Sequence, residues 1–212
     1  MSIYEAQARQ EIVAICRCLY GREFIVGTEG NVSIRVARSD RIWITPTGCH
    51  KGFLRPEELL LIDLDGGVQF GQGRPSSETP MHLALYRMRS DVQAVVHAHP
   101  PIATALTVAG CPFVSALLPE AVVVLGDVPT IPYQMPTTPQ FARDVAAAMR
   151  GVSAALLENH GCVTVGSTLQ EAFNTMETVE RVAHIFYLAK TLGQVHPLSA
   201  AAVEALRALR QV

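Results

Sequence analysis

The sequence predicts an α/β fold in which helices flank a mixed or antiparallel sheet. Short apolar runs rich in β-branched residues alternate with longer segments of helical periodicity. The turn signal Asp65-Gly66-Gly67 separates two of the short runs, as is typical of an antiparallel hairpin. The 212 residues are 49% hydrophobic and 17% charged, which is enough for one folded core, so we expect a single domain over residues 1–212.

The N-terminal part of the chain predicts a helix, a group of strands and a second helix. Residues 2–20 have apolar positions at helical spacing, with Ser2 as a cap. Strands are expected after Gly30 and at residues 41–45, 59–63 and 68–70. The next helix is expected at residues 79–89, because Pro80 suits a first helical turn.

The C-terminal part predicts four more helices and several strands. The apolar segment Ala94-Val95-Val96 begins a buried strand that ends at Pro100. Residues 111–133 contain the apolar stretch 121–125 and are predicted as short strands. The remaining elements are strands at 154–157 and 162–165, and helices at 102–109, 138–150, 168–192 and 198–209.

Composition excludes several classes of protein. The net charge is -2 and no block of like charges occurs, so binding of nucleic acid by a basic patch is not expected. No apolar run reaches about 18 residues and no signal peptide pattern precedes the first helix, so we expect no membrane partner. The five cysteines include no Cys-x-x-Cys pair, which favours a reducing, cytoplasmic location.

Two histidines lie two residues apart at the end of the buried strand. Side chains in a strand alternate between its faces, so His97 and His99 point the same way, with Cβ atoms roughly 6–7 Å apart. Two such imidazoles can bind one metal ion, with Zn–N bonds of about 2.0–2.1 Å. The alternative is a pair of half-buried histidines bonded to backbone carbonyls. With His160 and Glu78, they make a set typical of catalytic zinc sites.

Three polar turns contain groups that can bind an anion. Backbone N–H groups freed by glycines and by a helix start, together with nearby hydroxyls and amides, can surround a phosphate. An ordinary turn or a helix cap would explain each of these segments taken alone. The candidate donors are Thr28 and Asn31 in the first turn, Thr47 and Gly48 in the second, and Ser76 and Ser77 in the third.

Five motifs occur in an order and spacing that resemble those of the class II aldolase/adducin family. They are Gly30-Asn31-Val32-Ser33, Ile44-Thr45-Pro46-Thr47-Gly48, Pro75-Ser76-Ser77-Glu78, His97-Ala98-His99 and Asn159-His160-Gly161. The resemblance covers nearly the whole chain and is closest to the fuculose-1-phosphate aldolases of that family. It implies a three-layer α/β fold with a central, mostly antiparallel sheet flanked by helices.

The resemblance also implies roles for these residues. Zinc, or another divalent ion such as Mn²⁺ or Co²⁺, would be bound by His97, His99 and His160, and by Glu78 before substrate arrives. Glu78 would also be the catalytic acid and base. The phosphate of a small phosphorylated sugar would be bound by Thr28, Asn31, Thr47, Gly48, Ser76 and Ser77. Members of the family are commonly homotetramers with active sites at subunit interfaces.

The implied activity is that of a metal-dependent aldehyde-lyase in carbohydrate metabolism. Such an aldolase cleaves a ketose 1-phosphate reversibly to dihydroxyacetone phosphate and an aldehyde. A tyrosine that the aldolases carry after the metal-binding strand is absent from residues 113–116, and no aromatic tail ends the chain. The group that exchanges a proton with the leaving C4 oxygen is therefore left open, with Tyr133 as one candidate.

Other activities of the same fold remain as alternatives. Ribulose-phosphate 4-epimerases resemble this chain but have an aspartate after the two serines, so Glu78 favours an aldolase. Sugar-acid-phosphate decarboxylases and dehydratases usually vary the second serine, so Ser77 again favours an aldolase. An interaction module like the adducin head lacks the metal-binding histidines that are present here. A zinc hydrolase unrelated to sugars is disfavoured by the phosphate donors. His82, one turn after Glu78, could support the site from behind the metal ligands, but it is interpreted as a packing or helix-surface residue.

Overall fold

The computed structural model of this protein describes residues 3–37 and 39–209, and an eight-stranded sheet lies at its centre. The strands are β1 (Asn31–Arg35), β2 (Arg41–Ile44), β3 (Leu60–Asp63), β4 (Val68–Phe70), β5 (Ala94–Ala98), β6 (Thr130–Ile131), β7 (Ala154–Leu157) and β8 (Gly161–Gly166). Their order is β4-β3-β2-β1-β5-β8-β7-β6. Neighbours are antiparallel except β6 and β7, so the sheet is mixed but mostly antiparallel.

Helices cover both faces of the sheet. They are α1 (Ile3–Gly21), α2 (Thr79–Met88), α3 (Pro101–Val108), α4 (Pro119–Val124), α5 (Pro139–Ala148), α6 (Leu169–Leu192) and α7 (Ala200–Leu209). Buried apolar residues form one cluster with α1, α3 and α6, and a second cluster with α2 and α5. Val96 belongs to the first cluster and Val95 to the second, because adjacent strand residues face opposite sides. The three-layer α/β prediction is confirmed.

Strand β5 lies in the middle of the sheet, where it places the first two histidines. Its antiparallel neighbours are β1 and β8, with Asn31 opposite His97 on one side and Cys162 opposite Ala98 on the other. All five β5 residues are buried. The end of this strand is therefore held on both sides by backbone ladders, which makes it a rigid support for a site.

The prediction of short strands in residues 111–133 is wrong for most of that segment. Val122 and its neighbours form α4, and only Thr130–Ile131 pairs with the sheet. Pro119 occupies the first turn of α4, where its missing N–H costs no hydrogen bond. Ala121 and Leu125, one turn apart, are buried in the cluster that contains α6. Packing against helices thus decides the conformation of an apolar run whose period is ambiguous.

Most of the other predicted elements are present within a few residues of their expected ends. The expected N-terminal cap, Ser2, lies outside the described residues. Within the described ranges, a search for a helix long and apolar enough to cross a membrane finds none.

Candidate active site

His97 has a defined orientation at the end of β5. Its side chain is fully buried, and its Nδ1 lies 2.9 Å from the carbonyl oxygen of Cys162. A carbonyl only accepts, so Nδ1 carries a proton, and in the neutral ring Nε2 presents a lone pair to the other side. A metal-binding histidine usually has its second nitrogen fixed in this way.

His160 is placed by the tight turn between β7 and β8. Asn159 has φ 54°, a left-handed conformation that asparagine tolerates better than most residues. The Asn159 N–H donates to Thr107 Oγ1 at 3.1 Å, and the His160 N–H donates to the Leu157 carbonyl at 3.0 Å. These bonds hold the turn so that His160 faces the end of β5.

The three histidines converge. One ligand atom from each of His97, His99 and His160 lies within 4.8 Å of the others, and Nε2 of His97 and Nε2 of His99 are 3.2 Å apart. Nitrogens bound tetrahedrally to one zinc ion through bonds of about 2.0–2.1 Å lie roughly 3.4 Å apart. The group therefore fits a single metal ion, and with three protein ligands it would leave a coordination position for substrate.

Two glycines allow the backbone to approach the histidines this closely. A Cβ on Gly161 would lie 2.5 Å from the Ala98 carbonyl oxygen and 2.6 Å from Cδ2 of His99. A Cβ on Gly30 would lie 2.8 Å from the His97 carbonyl oxygen, and Gly30 also has φ +66°. Any larger residue at either position would push the histidines apart.

Glu78 brings a carboxylate to the histidine group from the N-terminus of α2. Its Oε2 lies 3.2 Å from His97 Nε2, and its Oε1 lies 3.2 Å from His160 Nε2. Asn31 Nδ2 donates to Oε2 at 2.8 Å. Glu78 thus contacts two of the three histidines and is 11% exposed, which leaves it reachable from solvent.

The charges in this group shift the pKa values of its members. Burial opposes ionisation of Glu78, but the positive charges and hydrogen bonds of His97 and His160 outweigh it and hold the pKa of Glu78 well below its usual range. Burial also opposes charge on His97, and Glu78 raises its pKa above the ordinary value. Burial, together with the charges of His97 and His160, lowers the pKa of His99 to about 3. A neutral imidazole is the form that binds a metal.

The segment after His99 is fixed by a carboxylate from α6. Glu180 accepts from the N–H groups of Ile102 and Ala103 at 2.9 and 2.8 Å, so it caps the start of α3. Burial raises the pKa of Glu180, an effect that these two donors partly offset. This residue was not predicted as part of the site, and it secures the chain immediately beyond the histidine pair.

The candidate anion donors lie on loops that are linked by hydrogen bonds. The Thr47 N–H donates to the Arg74 carbonyl at 3.0 Å, and Pro46 and Pro75 form an isolated bridge, so the second and third turns touch. Side chains at Thr28, Thr47 and Ser77 are exposed, and Ser76 is half-buried. A cavity of about 730 Å³ opens beside Thr47 and Gly48, with Arg55 and Arg74 in its wall.

Lys51 links the first and second turns and was not predicted as a site residue. It is only 2% exposed, and its Nζ donates to the carbonyl oxygens of Thr28 and Cys49, both at 3.1 Å. Its own N–H donates to the Gly27 carbonyl at 3.1 Å. A buried ammonium therefore lies where the two loops meet.

Asn31 is directed inward rather than toward the loops. Its side-chain nitrogen donates to Glu78, and its side-chain oxygen lies 2.5 Å from His82 Nε2. His82 is fully buried, so the surface interpretation is wrong and a hydrogen-bonding role replaces it. The position of His82 one turn after Glu78 indicated a place near the site, but its contact with Asn31 depends on the packing of α2 against β1.

The fold and the histidine group define an α/β protein with a candidate metal site. Residues 10–187 match the family model described as the class II aldolase and adducin N-terminal domain. An L-fuculose phosphate aldolase from Methanococcus maripaludis is 36% identical over 182 residues, which are 86% of this chain and 97% of that protein. A 3-oxo-tetronate 4-phosphate decarboxylase from Escherichia coli is 35% identical over 188 residues, which are 87% of this chain and 88% of that protein.

Solved structures agree with these relatives. One described as L-fuculose 1-phosphate aldolase has a TM-score of 0.89 and 32% identity, with 97% of each chain covered. The chain therefore belongs to the class II aldolase and adducin family. Class II aldolases are lyases and typically depend on a metal, and His97, His99 and His160 are a group that could hold one here.

Proposed function

We propose that this protein is a zinc-dependent aldolase that cleaves a ketose 1-phosphate reversibly to dihydroxyacetone phosphate and an aldehyde. One observation carries the proposal: the Glu78 carboxylate lies 3.2 Å from both His97 Nε2 and His160 Nε2. An acid–base group beside a candidate metal position is the arrangement that proton transfer next to a carbonyl requires.

In this mechanism zinc would be held by His97, His99 and His160, with Glu78 as a further ligand until substrate arrives. The ion would act as a Lewis acid for the charge that develops when the C3–C4 bond breaks. The C4 hydroxyl loses its proton as the aldehyde forms, and C3 keeps the electron pair of the broken bond. The ionised Glu78 carboxylate takes up the released proton through solvent and delivers it to C3, and in the reverse direction it removes the C3 proton.

The substrate phosphate would be bound by the turns that contain the candidate donors. Thr28, Thr47, Gly48, Ser76 and Ser77 would supply hydroxyl and N–H groups, and Lys51 would supply positive charge behind them. Asn31 was also expected among these donors, and its contact with Glu78 supports a role in orienting the carboxylate. Support for the site comes from the bonds that join the three turns, since a phosphate needs donors that converge.

The test is an assay with a panel of ketose 1-phosphates, ketose 5-phosphates and phosphorylated sugar acids, on protein of measured metal content. We expect dihydroxyacetone phosphate and an aldehyde to appear from one or more ketose 1-phosphates, at a rate proportional to bound zinc. Cleavage of none of them by fully loaded protein would contradict the proposal.

A decarboxylase is the second candidate, because the 3-oxo-tetronate 4-phosphate decarboxylase is almost as similar to this chain as the aldolase is. Both reactions break a carbon–carbon bond and leave negative charge beside a carbonyl, so one metal site can serve either. The same panel separates them, since a phosphorylated 3-oxo acid would release carbon dioxide. A ribulose 5-phosphate epimer would instead identify the epimerase alternative.

We further propose that residues 1–212 are one domain of a cytoplasmic homotetramer with active sites at its subunit interfaces. The family match over residues 10–187 supports the single domain. Light scattering on purified protein would then give a mass near four times 22.9 kDa. A mass of one or two chains at working concentration would contradict the tetramer.

A further inference from the structure

A chain of hydrogen bonds runs from the core to the Glu78 carboxylate. Tyr86 Oη lies 2.8 Å from Ser33 Oγ, and Ser33 Oγ lies 2.7 Å from His82 Nδ1. His82 Nε2 lies 2.5 Å from Asn31 Oδ1, and Asn31 Nδ2 lies 2.8 Å from Glu78 Oε2. Its members come from β1 and α2, and all but Glu78 are buried.

Each bond in this chain has only one possible direction. A carboxylate accepts, so Asn31 must turn its NH₂ group to Glu78 and its oxygen to His82. That oxygen needs a donor, so His82 carries its proton on Nε2 and has a lone pair on Nδ1. Ser33 must then donate to Nδ1 and accept from the Tyr86 hydroxyl. Every donor in the chain is therefore directed toward Glu78.

Neutrality of His82 is part of this assignment. Burial, together with the charge of His97, lowers the pKa of His82 to about 3. The ring therefore has a single N–H near neutral pH, and its two nitrogens differ in function. If the proton were on Nδ1 instead, Asn31 would turn over, and its oxygen would face the Glu78 oxygen at 2.8 Å.

We infer that His82 is a positioning residue: held in its Nε2–H tautomer between Asn31 and Ser33, it fixes Asn31 so that the amide N–H donates to the Glu78 carboxylate and orients it between His97 and His160. The inference rests on the proposed role of Glu78 in proton transfer at C3. It assigns Asn31 to the acid–base group, and it makes Ser33 the donor that the Nε2–H tautomer needs at Nδ1.

Two variants separate the effect of a changed His82 tautomer from the general effect of losing a buried hydrogen bond. Ser33→Ala removes the donor to Nδ1 that the described residues supply, so the ring is free to move its proton and Asn31 is free to turn. Tyr86→Phe removes a bond from the far end and leaves Ser33 still donating to His82. The matched control is Thr164→Val, because Thr164 is buried and its hydroxyl donates to the Ala172 carbonyl at 2.7 Å, in a separate network.

The first measurement needs no turnover. The ¹⁵N ring shifts of His82 are recorded in zinc-loaded protein labelled at histidine and assigned with His82→Gln. We expect the Nε2–H tautomer in the wild type and in Tyr86→Phe, and a mixture or the Nδ1–H form in Ser33→Ala. An Nδ1–H ring in the wild type, or an unchanged tautomer in Ser33→Ala, overturns the inference whatever the activity is.

The second measurement is exchange of the C3 proton of dihydroxyacetone phosphate with solvent. Ser33→Ala should lower kcat for exchange by about 10-fold or more and change KM by less than about 3-fold, because only the acid–base group is disturbed. Thr164→Val should exchange at the wild-type rate. A Ser33→Ala protein that has the changed tautomer and exchanges normally overturns the inference. Absence of exchange in the wild type would instead overturn the proposed function, and the ring shifts would still decide the tautomer.

Discussion

Glu78 is the residue at which the candidate metal ligands and the proposed acid–base group meet. Its two carboxylate oxygens contact different histidines, and Asn31 Nδ2 donates to the oxygen that lies beside His97. The positive charges beside it keep it ionised despite its burial. A base that is held ionised next to a Lewis acid can accept a proton from a carbon whose acidity that ion increases.

Glu78→Gln should retain the metal and lose proton transfer. Gln keeps the size of the side chain and one oxygen that can accept from Asn31 but has no carboxylate, so exchange at C3 of dihydroxyacetone phosphate should fall by about 10²–10⁴-fold. Zinc content, measured on the same samples, should stay near that of the wild type. Glu204→Gln, at an exposed position of α7, is the control. Exchange at the wild-type rate in Glu78→Gln would show that another group is the base.

At the level of single residues, the sequence predicts the members of the site better than their contacts. The alternation of a strand places His97 beside His99, and the structure brings His160 to them from 61 residues further along the chain than His99. No local pattern determines that approach, because it depends on the pairing of β5 with β8. The inward direction of Asn31 was missed for the same reason, since it depends on a helix that packs over its strand.

Lys51 joins the first and second candidate phosphate loops through its side chain, in addition to the backbone hydrogen bond between them. Two carbonyl oxygens, from Thr28 and Cys49, share one buried ammonium. A buried charge that serves only to join two loops is costly, so its position beside the candidate phosphate donors is informative. Lys51 is expected to stabilise both the loops and an anion bound between them.

Lys51→Met should therefore weaken binding of inorganic phosphate by about 10-fold, which corresponds to about 1.4 kcal/mol. It should also lower the free energy of unfolding by about 1–3 kcal/mol, since the Thr28 and Cys49 carbonyls lose the ammonium that donates to both. Calorimetric titration and chemical denaturation measure the two effects. Lys190→Met changes an exposed lysine and should alter neither the phosphate affinity nor the free energy of unfolding. Destabilisation with unchanged phosphate affinity would restrict Lys51 to a structural role.

The elements themselves differ in how far the sequence predicts them. The hairpin of β3 and β4 was predicted from Asp65-Gly66-Gly67, and Asp63 closes it by accepting from the Gly67 N–H at 2.8 Å. Its turn is encoded in adjacent residues, so local chemistry is sufficient. The segment that became α4 lacks such a signal, and its conformation depends on contacts with α6 and α7.

Considered as a whole, the molecule draws its candidate metal ligands from distant parts of the chain. They come from β5, from the turn before β8 and from the start of α2. The start of α2 carries Glu78 and belongs to one helix layer, whereas α6 belongs to the other and anchors the segment after His99. A metal ion bound here would therefore connect parts of the chain that pack on both faces of the sheet. Its binding should consequently be coupled to global stability.

Removal of the metal should lower the unfolding temperature. An ion present at 1,000 times its dissociation constant stabilises the folded state by about 4 kcal/mol, and that contribution is lost in a chelator. Differential scanning calorimetry with and without EDTA measures the shift, and added zinc should restore it. His160→Ala is the control, because a protein with one ligand removed should respond little. An equal shift in His160→Ala would mean that the chelator acts elsewhere.

The histidine group and the candidate phosphate loops lie in different halves of the sheet, which bears on how substrate preference can change within the family. The histidines belong to β5 and the turn before β8, whereas the candidate phosphate loops adjoin β1, β2 and α2. Mutations can accumulate in the loops while the histidine cluster is inherited intact. A change of substrate, such as that between the aldolase and the decarboxylase that resemble this chain, can therefore take place in the loops while the strands that hold the histidine group stay the same.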